Sequence, residues 1–145
     1  MNSPRQKAPA LDAPFAGATV GTTLGPATFT VSAAANERYW SAAGVDHPAL
    51  RDGALYPPIA ANLTILLFQT VVPRPMIQTE QRLVCHRRGE AGTELTVRGA
   101  VVERYEKRGR EYAVVEAVVA LPDGDPLWTS TAAFIEAGAT KEKTP

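Results

Sequence analysis

An α+β fold, in which a curled antiparallel sheet wraps around one apolar helix, is predicted by three observations. An apolar run, Ile59-Ala60-Ala61-Asn62-Leu63-Thr64-Ile65-Leu66-Leu67-Phe68, follows Pro57-Pro58 without a breaker, and prolines suit the first turn of a helix. Four β-rich segments then follow, at residues 76–87, 94–105, 111–121 and 127–135, separated by turn-forming residues. A helix that is apolar nearly all round must be covered on most of its surface, and the broad element left to cover it is a sheet.

The remaining elements are read in chain order. Residues 1–15 hold three prolines and little periodicity, so they are expected to form a flexible surface arm before a single domain at 16–136 and a flexible tail at 137–145. Between Val20 and Val31, threonine, phenylalanine and valine favour one strand, interrupted at Gly25-Pro26 by a turn or bulge. Ser32 is placed to cap an alanine-rich helix over residues 33–43 that carries Tyr39 and Trp40, and Gly44 is its stop. Among the strands, residues 88–92 make a loop, Lys107-Arg108-Gly109-Arg110 a hairpin, and Asp123-Gly124-Asp125 a tighter hairpin. Four strands in succession predict an antiparallel meander.

Composition narrows the function classes. A length of 145 residues suits one domain, and fifteen basic residues balance fifteen acidic ones, so no net field draws the chain to nucleic acid or to an anionic membrane. An anionic ligand must therefore be caught locally. No apolar leader opens the sequence and no run approaches the ~18 apolar residues of a membrane span, so the expected location is the cytoplasm. One cysteine, Cys85, and two histidines offer neither an internal disulfide nor a metal-ligand cluster, so no metal is expected.

Several motifs carry a family resemblance. They are Ala43-Gly44-Val45-Asp46-His47-Pro48, Tyr56-Pro57-Pro58, Glu80-Gln81-Arg82 running to His86-Arg87, Gly92-Thr93-Glu94-Leu95-Thr96-Val97 and Tyr105-Glu106-Lys107-Arg108-Gly109. Together they span roughly four-fifths of the 145 residues, and the chain resembles the MaoC-like acyl-thioester hydratases and dehydratases, in the branch related to fatty-acid-synthase dehydratase domains. The resemblance implies a hot-dog fold, an acyl-CoA or acyl-carrier-protein thioester as substrate, and no further cofactor. It also implies a dimer, with either an identical chain or a second, related hot-dog chain completing the acyl tunnel. In catalytic members the loop reads Gly-Asp-x-Asn-Pro, an aliphatic residue, then His. The resemblance implies that this Asp and His work as acid and base at the β-carbon, a task that needs a pKa near working pH and hydrogen-bond reach.

Placed on this sequence, Gly44 and Pro48 fit the pattern, while Val45 falls at the acid and Leu50 at the histidine. Asp46 and His47 are the candidate catalytic pair only if the loop path shifts by one residue. Their other reading is a turn-forming carboxylate and a loop histidine. Substrate contacts are expected from Tyr56, from the backbone N–H groups of Ile59 and Ala60, and from Asn62. Pro57 and Pro58 lack N–H groups, leaving Ile59, Ala60 and Ala61 as the helix-entry donors toward a thioester carbonyl. Tyr56 is open to reading as a packing staple, and Asn62 as an amide bonded to loop backbone. Cys85 is read as a buried small residue and His86 as structural. The basic set Arg82, Arg87, Arg88, Arg104, Lys107, Arg108 and Arg110 is either a phosphate site or an ordinary charged strand face. Three functions follow from this: a hydratase or dehydratase with an altered loop, a non-catalytic subunit that binds the acyl chain and supports a catalytic partner, or a thioester hydrolase using Asp46 or Asp52.

Overall fold

The computed structural model describes residues 13–44, 46–48 and 52–137. A 3-10 turn at Pro14–Gly17 leads into β1 (Thr23–Thr30) and α1 (Ala33–Ala42). Then come α2 (Ile59–Gln69), β2 (Met76–Cys85), β3 (Glu94–Lys107), β4 (Arg110–Ala120) and β5 (Pro126–Glu136). Local chemistry sets most of these boundaries. Ser32 Oγ accepts from Ala35 N at 3.1 Å, giving α1 its N-cap. Gly44, at φ +72°, follows its last turn. The β3–β4 hairpin turns on Arg108 and Gly109, both at positive φ, the conformation a two-residue hairpin needs to match strand twist.

The five strands form one antiparallel sheet in the order β1-β3-β4-β5-β2. The expected meander therefore holds for β3, β4 and β5, while β2 is displaced to the far side of β5. The reason is occupancy: β1 already fills the outer side of β3, from Thr23↔Ala100 to Thr30↔Glu94, and the remaining open strand is β5. Gly25-Pro26 sits at the irregularity in β1 between Leu24 and Ala27, where the sequence placed a break.

One face of the sheet is the core. Ala113, Val115, Ala117 and Val119 alternate along β4 and are fully buried, joined by Leu95, Val97 and Phe134 from its neighbours. Helix α2 packs against all five strands, burying Ile59, Ala60, Leu63, Thr64, Leu67 and Phe68. Thr64 and Ser130 are the polar exceptions, and each finds a partner: Thr64 Oγ1 lies 2.8 Å from Ser130 Oγ and 2.7 Å from Ala60 O. The cover is less complete than the apolar run implied. Asn62 and Leu66, one turn apart, face outward, with Leu66 50% exposed.

Two further expectations are corrected. Phe15, placed in a surface arm, is fully buried, stacked 5.9 Å from Phe68 beneath the Arg104 guanidinium. Its N–H bonds the Glu136 carboxylate, which also pairs with Arg74 at 3.1 Å, so the folded unit takes in residues before 16. The rest of the arm, 1–12, and the tail beyond 137 lie outside the described residues. Cys85 is exposed rather than buried, because it ends a strand that has a neighbour on one side only. Among the described residues, no helix is long and apolar enough to cross a membrane, and no three His, Cys, Asp or Glu side chains gather as a metal site.

On the outer face, Tyr105 stacks on its cross-strand partner Tyr112 at 4.8 Å. Burial raises the Tyr105 phenol above the usual tyrosine range, and Glu80, Tyr112 and Glu103 push it the same way. An acid whose pKa is raised on folding contributes stability that is complete below the unfolded value, about 10, and is lost as pH rises through the folded value. Denaturant unfolding between pH 9 and 11 should therefore show a steeper loss of stability for the wild type than for Tyr105→Phe.

Candidate functional site

The loop before α2 is fixed from two sides. On α1, Asn36 and Trp40 stand one turn apart and face the same way. Asn36 is 2% exposed; its Nδ2 donates to Ala54 O at 2.9 Å and its Oδ1 accepts from Tyr56 N at 3.0 Å. Trp40 Nε1 donates to the same Ala54 carbonyl at 2.9 Å. From the other side, Leu55 N bonds Gly89 O and Ala91 N bonds Gly53 O, both at 2.9 Å. Gly89 permits this approach: a Cβ there would lie 2.8 Å from side-chain carbons of both Leu55 and Leu127. Asn36 was not singled out from the sequence. The available signal was an amide in an otherwise alanine-rich helix, with tryptophan at i+4.

Beside this staple lies a cavity of about 430 Å³. Trp40, Leu55, Pro57 and Trp128 give it apolar walls, and Cys85, His86, Arg87 and Arg88 form one side. Its size is within the range of small-molecule sites. The charged groups around it are paired: Arg87 with Asp125 at 2.6 Å, and Arg88 with Glu90 at 2.7 Å. His86 Nε2 is 2.8 Å from Thr129 Oγ1. No carboxylate is among the described residues that line the cavity.

The residues expected at the site are dispersed. Asp46 and His47 are both exposed, and neither lines the cavity. Val45 and Leu50, which stand at the family's acid and histidine positions, lie outside the described residues. The Tyr56 ring is half-buried, 6.1 Å from Tyr39 and 5.0 Å edge-on from Trp40. Asn62 is exposed and donates to Tyr39 Oη at 3.2 Å. Ile59 and Ala60 are buried at the start of α2, but their N–H groups are engaged. Ile59 N bonds Tyr56 O at 3.1 Å, Ala60 N bonds Pro57 O at 3.0 Å, and Ala61 N bonds Pro58 O at 3.0 Å. A tight turn at the helix entry has thus satisfied the donors that a helix start usually leaves open. Nor do the seven basic residues form one patch. Arg104 bonds Glu111 at 3.0 Å, while Lys107, Arg108 and Arg110 lie at the β3–β4 hairpin.

No protein-family model and no curated protein sequence matches the chain. Solved structures do. The HadBC (3R)-hydroxyacyl-ACP dehydratase complex of Mycobacterium tuberculosis includes a chain 21% identical, with a TM-score of 0.70 over 80% of this chain and 96% of that one. This chain has the hot-dog fold. Two other hot-dog structures are similar: the (R)-hydratase PhaJ1 of Pseudomonas aeruginosa, and a MaoC-like dehydratase of Rhodospirillum rubrum. The first is 19% identical with a TM-score of 0.69, covering 85% of this chain and 84% of that one. The second is 20% identical with a TM-score of 0.61, covering 81% and 92%. The fold implied by the motifs and the fold found by structure agree.

Removing the staple has a defined cost. Asn36→Ala leaves Tyr56 N without its acceptor in a part-buried position and should destabilise the protein by about 1–3 kcal/mol. Asn62→Ala, which removes an exposed bond on the next helix, should cost less than about 0.5 kcal/mol. Urea unfolding of both variants checks the contrast.

Proposed function

We propose that the chain is an acyl-thioester-binding hot-dog subunit of the hydratase and dehydratase kind that does not carry out the water-transfer step by itself. The observation that carries this reading is the engagement of the Ile59, Ala60 and Ala61 N–H groups within the turn. An enolate-like oxygen needs donors preorganised toward it, and donors already bonded to Tyr56, Pro57 and Pro58 carbonyls do not supply that. The loop points the same way, since Val45 and Leu50 replace the family's acid and histidine and Asp46 and His47 stand exposed. The cavity supports binding: its tryptophan walls suit an apolar acyl segment. Arg87 and Arg88 on one side of it, each paired with a carboxylate, would be the cations nearest to a phosphate of coenzyme A or of a carrier protein's phosphopantetheine. The chain then brings no cofactor of its own, works in the cytoplasm, and relies on a second, catalytic hot-dog chain for acid and base. Hydrolysis is disfavoured because the described lining offers no carboxylate to activate water.

Both tryptophans of the sequence line the cavity, so intrinsic fluorescence reports directly on its occupancy. Titration with acyl-CoA should change the emission saturably, and Trp128→Phe should reduce that change. The purified chain should not hydrate a short 2-enoyl-CoA, and turnover should appear on addition of a catalytic hot-dog chain. Asp46→Asn and His47→Gln should leave the activity of the mixture within about twofold, whereas general acid–base groups typically contribute 10²–10⁴-fold. Turnover by the chain alone, lost by either substitution to that extent, would restore it as an enzyme in its own right.

A further inference from the structure

The two tryptophans of the cavity carry indole N–H groups in opposite states. Trp40 Nε1 is engaged by the Ala54 carbonyl at 2.9 Å. Trp128 is 1% exposed, yet its Nε1 has no acceptor among the described residues. Among those residues, the side-chain atoms both fully enclosed and without a partner are Gln81 Oε1 and Arg104 Nε. Trp128 Nε1 is not one of them, so the small part of this side chain still open to contact includes its N–H. The space that Trp128 borders is the cavity.

A buried indole N–H usually has an acceptor, because losing water without a replacement bond is costly. Trp128 is held in place by strand register and packing instead. It pairs with Cys85 on β2 and Val119 on β4, and its ring belongs to the core. The other polar groups beside it are occupied: His86 lies against Thr129, Arg87 pairs with Asp125 and Arg88 with Glu90. The acceptor must then come from whatever fills the cavity. A hydrocarbon segment seated against this N–H would displace its water and return nothing. We propose that Trp128 Nε1–H donates to the carbonyl oxygen of the bound acyl thioester, replacing as carbonyl donor the engaged N–H groups of Ile59, Ala60 and Ala61. This assignment rests on the acyl-thioester reading of the cavity. One neutral donor fixes the acyl group without supplying the set of donors that a developing enolate needs, which is the behaviour of a binding subunit.

Two tryptophans give two indole N–H signals in the proton–nitrogen NMR spectrum of the full chain, and W40F assigns them. In the free protein the Trp128 proton should exchange with water faster than the bonded Trp40 proton. Butyryl-CoA should move the Trp128 signal downfield, whereas its thioether S-butyl-CoA, which lacks only the carbonyl oxygen, should not. By calorimetry the wild type should prefer butyryl-CoA to S-butyl-CoA about tenfold, as one buried hydrogen bond allows. W128F should bring the two ligands within about twofold, and W40F should keep the preference, because its lost N–H faced Ala54. A general disturbance of the cavity would weaken both ligands and leave their ratio unchanged. Equal affinities in the wild type, an unchanged ratio in W128F, or a Trp128 signal that ignores butyryl-CoA would each overturn the assignment. A shift produced equally by 3-hydroxybutyryl-CoA and by its thioether would place the 3-oxygen at Trp128 and overturn it too. The NMR comparison needs no Trp128 variant, so it stands even where W128F fails to fold. Binding of neither ligand counts against the acyl-thioester function itself, while equal binding of both counts against the role of Trp128 alone.

Discussion

Burial of a single apolar helix against one sheet is the constraint on which the rest of the molecule depends. α2 brings Leu63, Leu67 and Phe68 into a concave face made from every strand, and among the described residues no other α-helix packs as broadly on that face. The sheet must curl to reach both sides of α2. Irregularities between Leu24 and Ala27, Gln78 and Glu80, and Val101 and Glu103 accompany that curl, because a bulge increases local twist and bends a strand. Phe15 and the Arg74–Glu136 pair close the end of the core near Phe68. The chain enters α2 through a segment in which Ala54 and Leu55 are buried and Leu55 N bonds Gly89 O.

That entry is where structure and function meet. Asn36 and Trp40 hold Ala54, Gly89 accommodates Leu55, and Pro57-Pro58 tightens the path so that the first helical N–H groups fold back on the turn. The arrangement trades open donors for a rigid entry. In the same stroke it shapes a slot between two tryptophans. The entry therefore joins an apolar-walled cavity to a helix start whose first N–H groups are already bonded.

Much of the fold was legible in the sequence. Ser32, Gly44, Pro57-Pro58, the Lys107–Arg110 hairpin and the Asp123-Gly124 turn act through their immediate neighbours, and each lies at or next to the boundary it marked. The position of β2 was not legible, because strand order depends on which edges earlier pairings have filled. For the candidate site the division is sharper. The mismatch of Val45 and Leu50 with the family pattern is a property of the sequence. The importance of Asn36, the exposure of Cys85 and the outward stripe of Asn62 and Leu66 are not.

By itself the sequence determined the element types, the helix caps, the turns and the resemblance to acyl-thioester hydratases and dehydratases, since all of these are written in residues near one another along the chain. Only the tertiary structure decided that the helix-entry donors are engaged, that Trp40 and Trp128 face one cavity across 88 residues of sequence, and that of their two indole N–H groups only that of Trp40 is bonded. Those features depend on contacts between distant segments, and on which hydrogen bonds are left over once the local ones have formed.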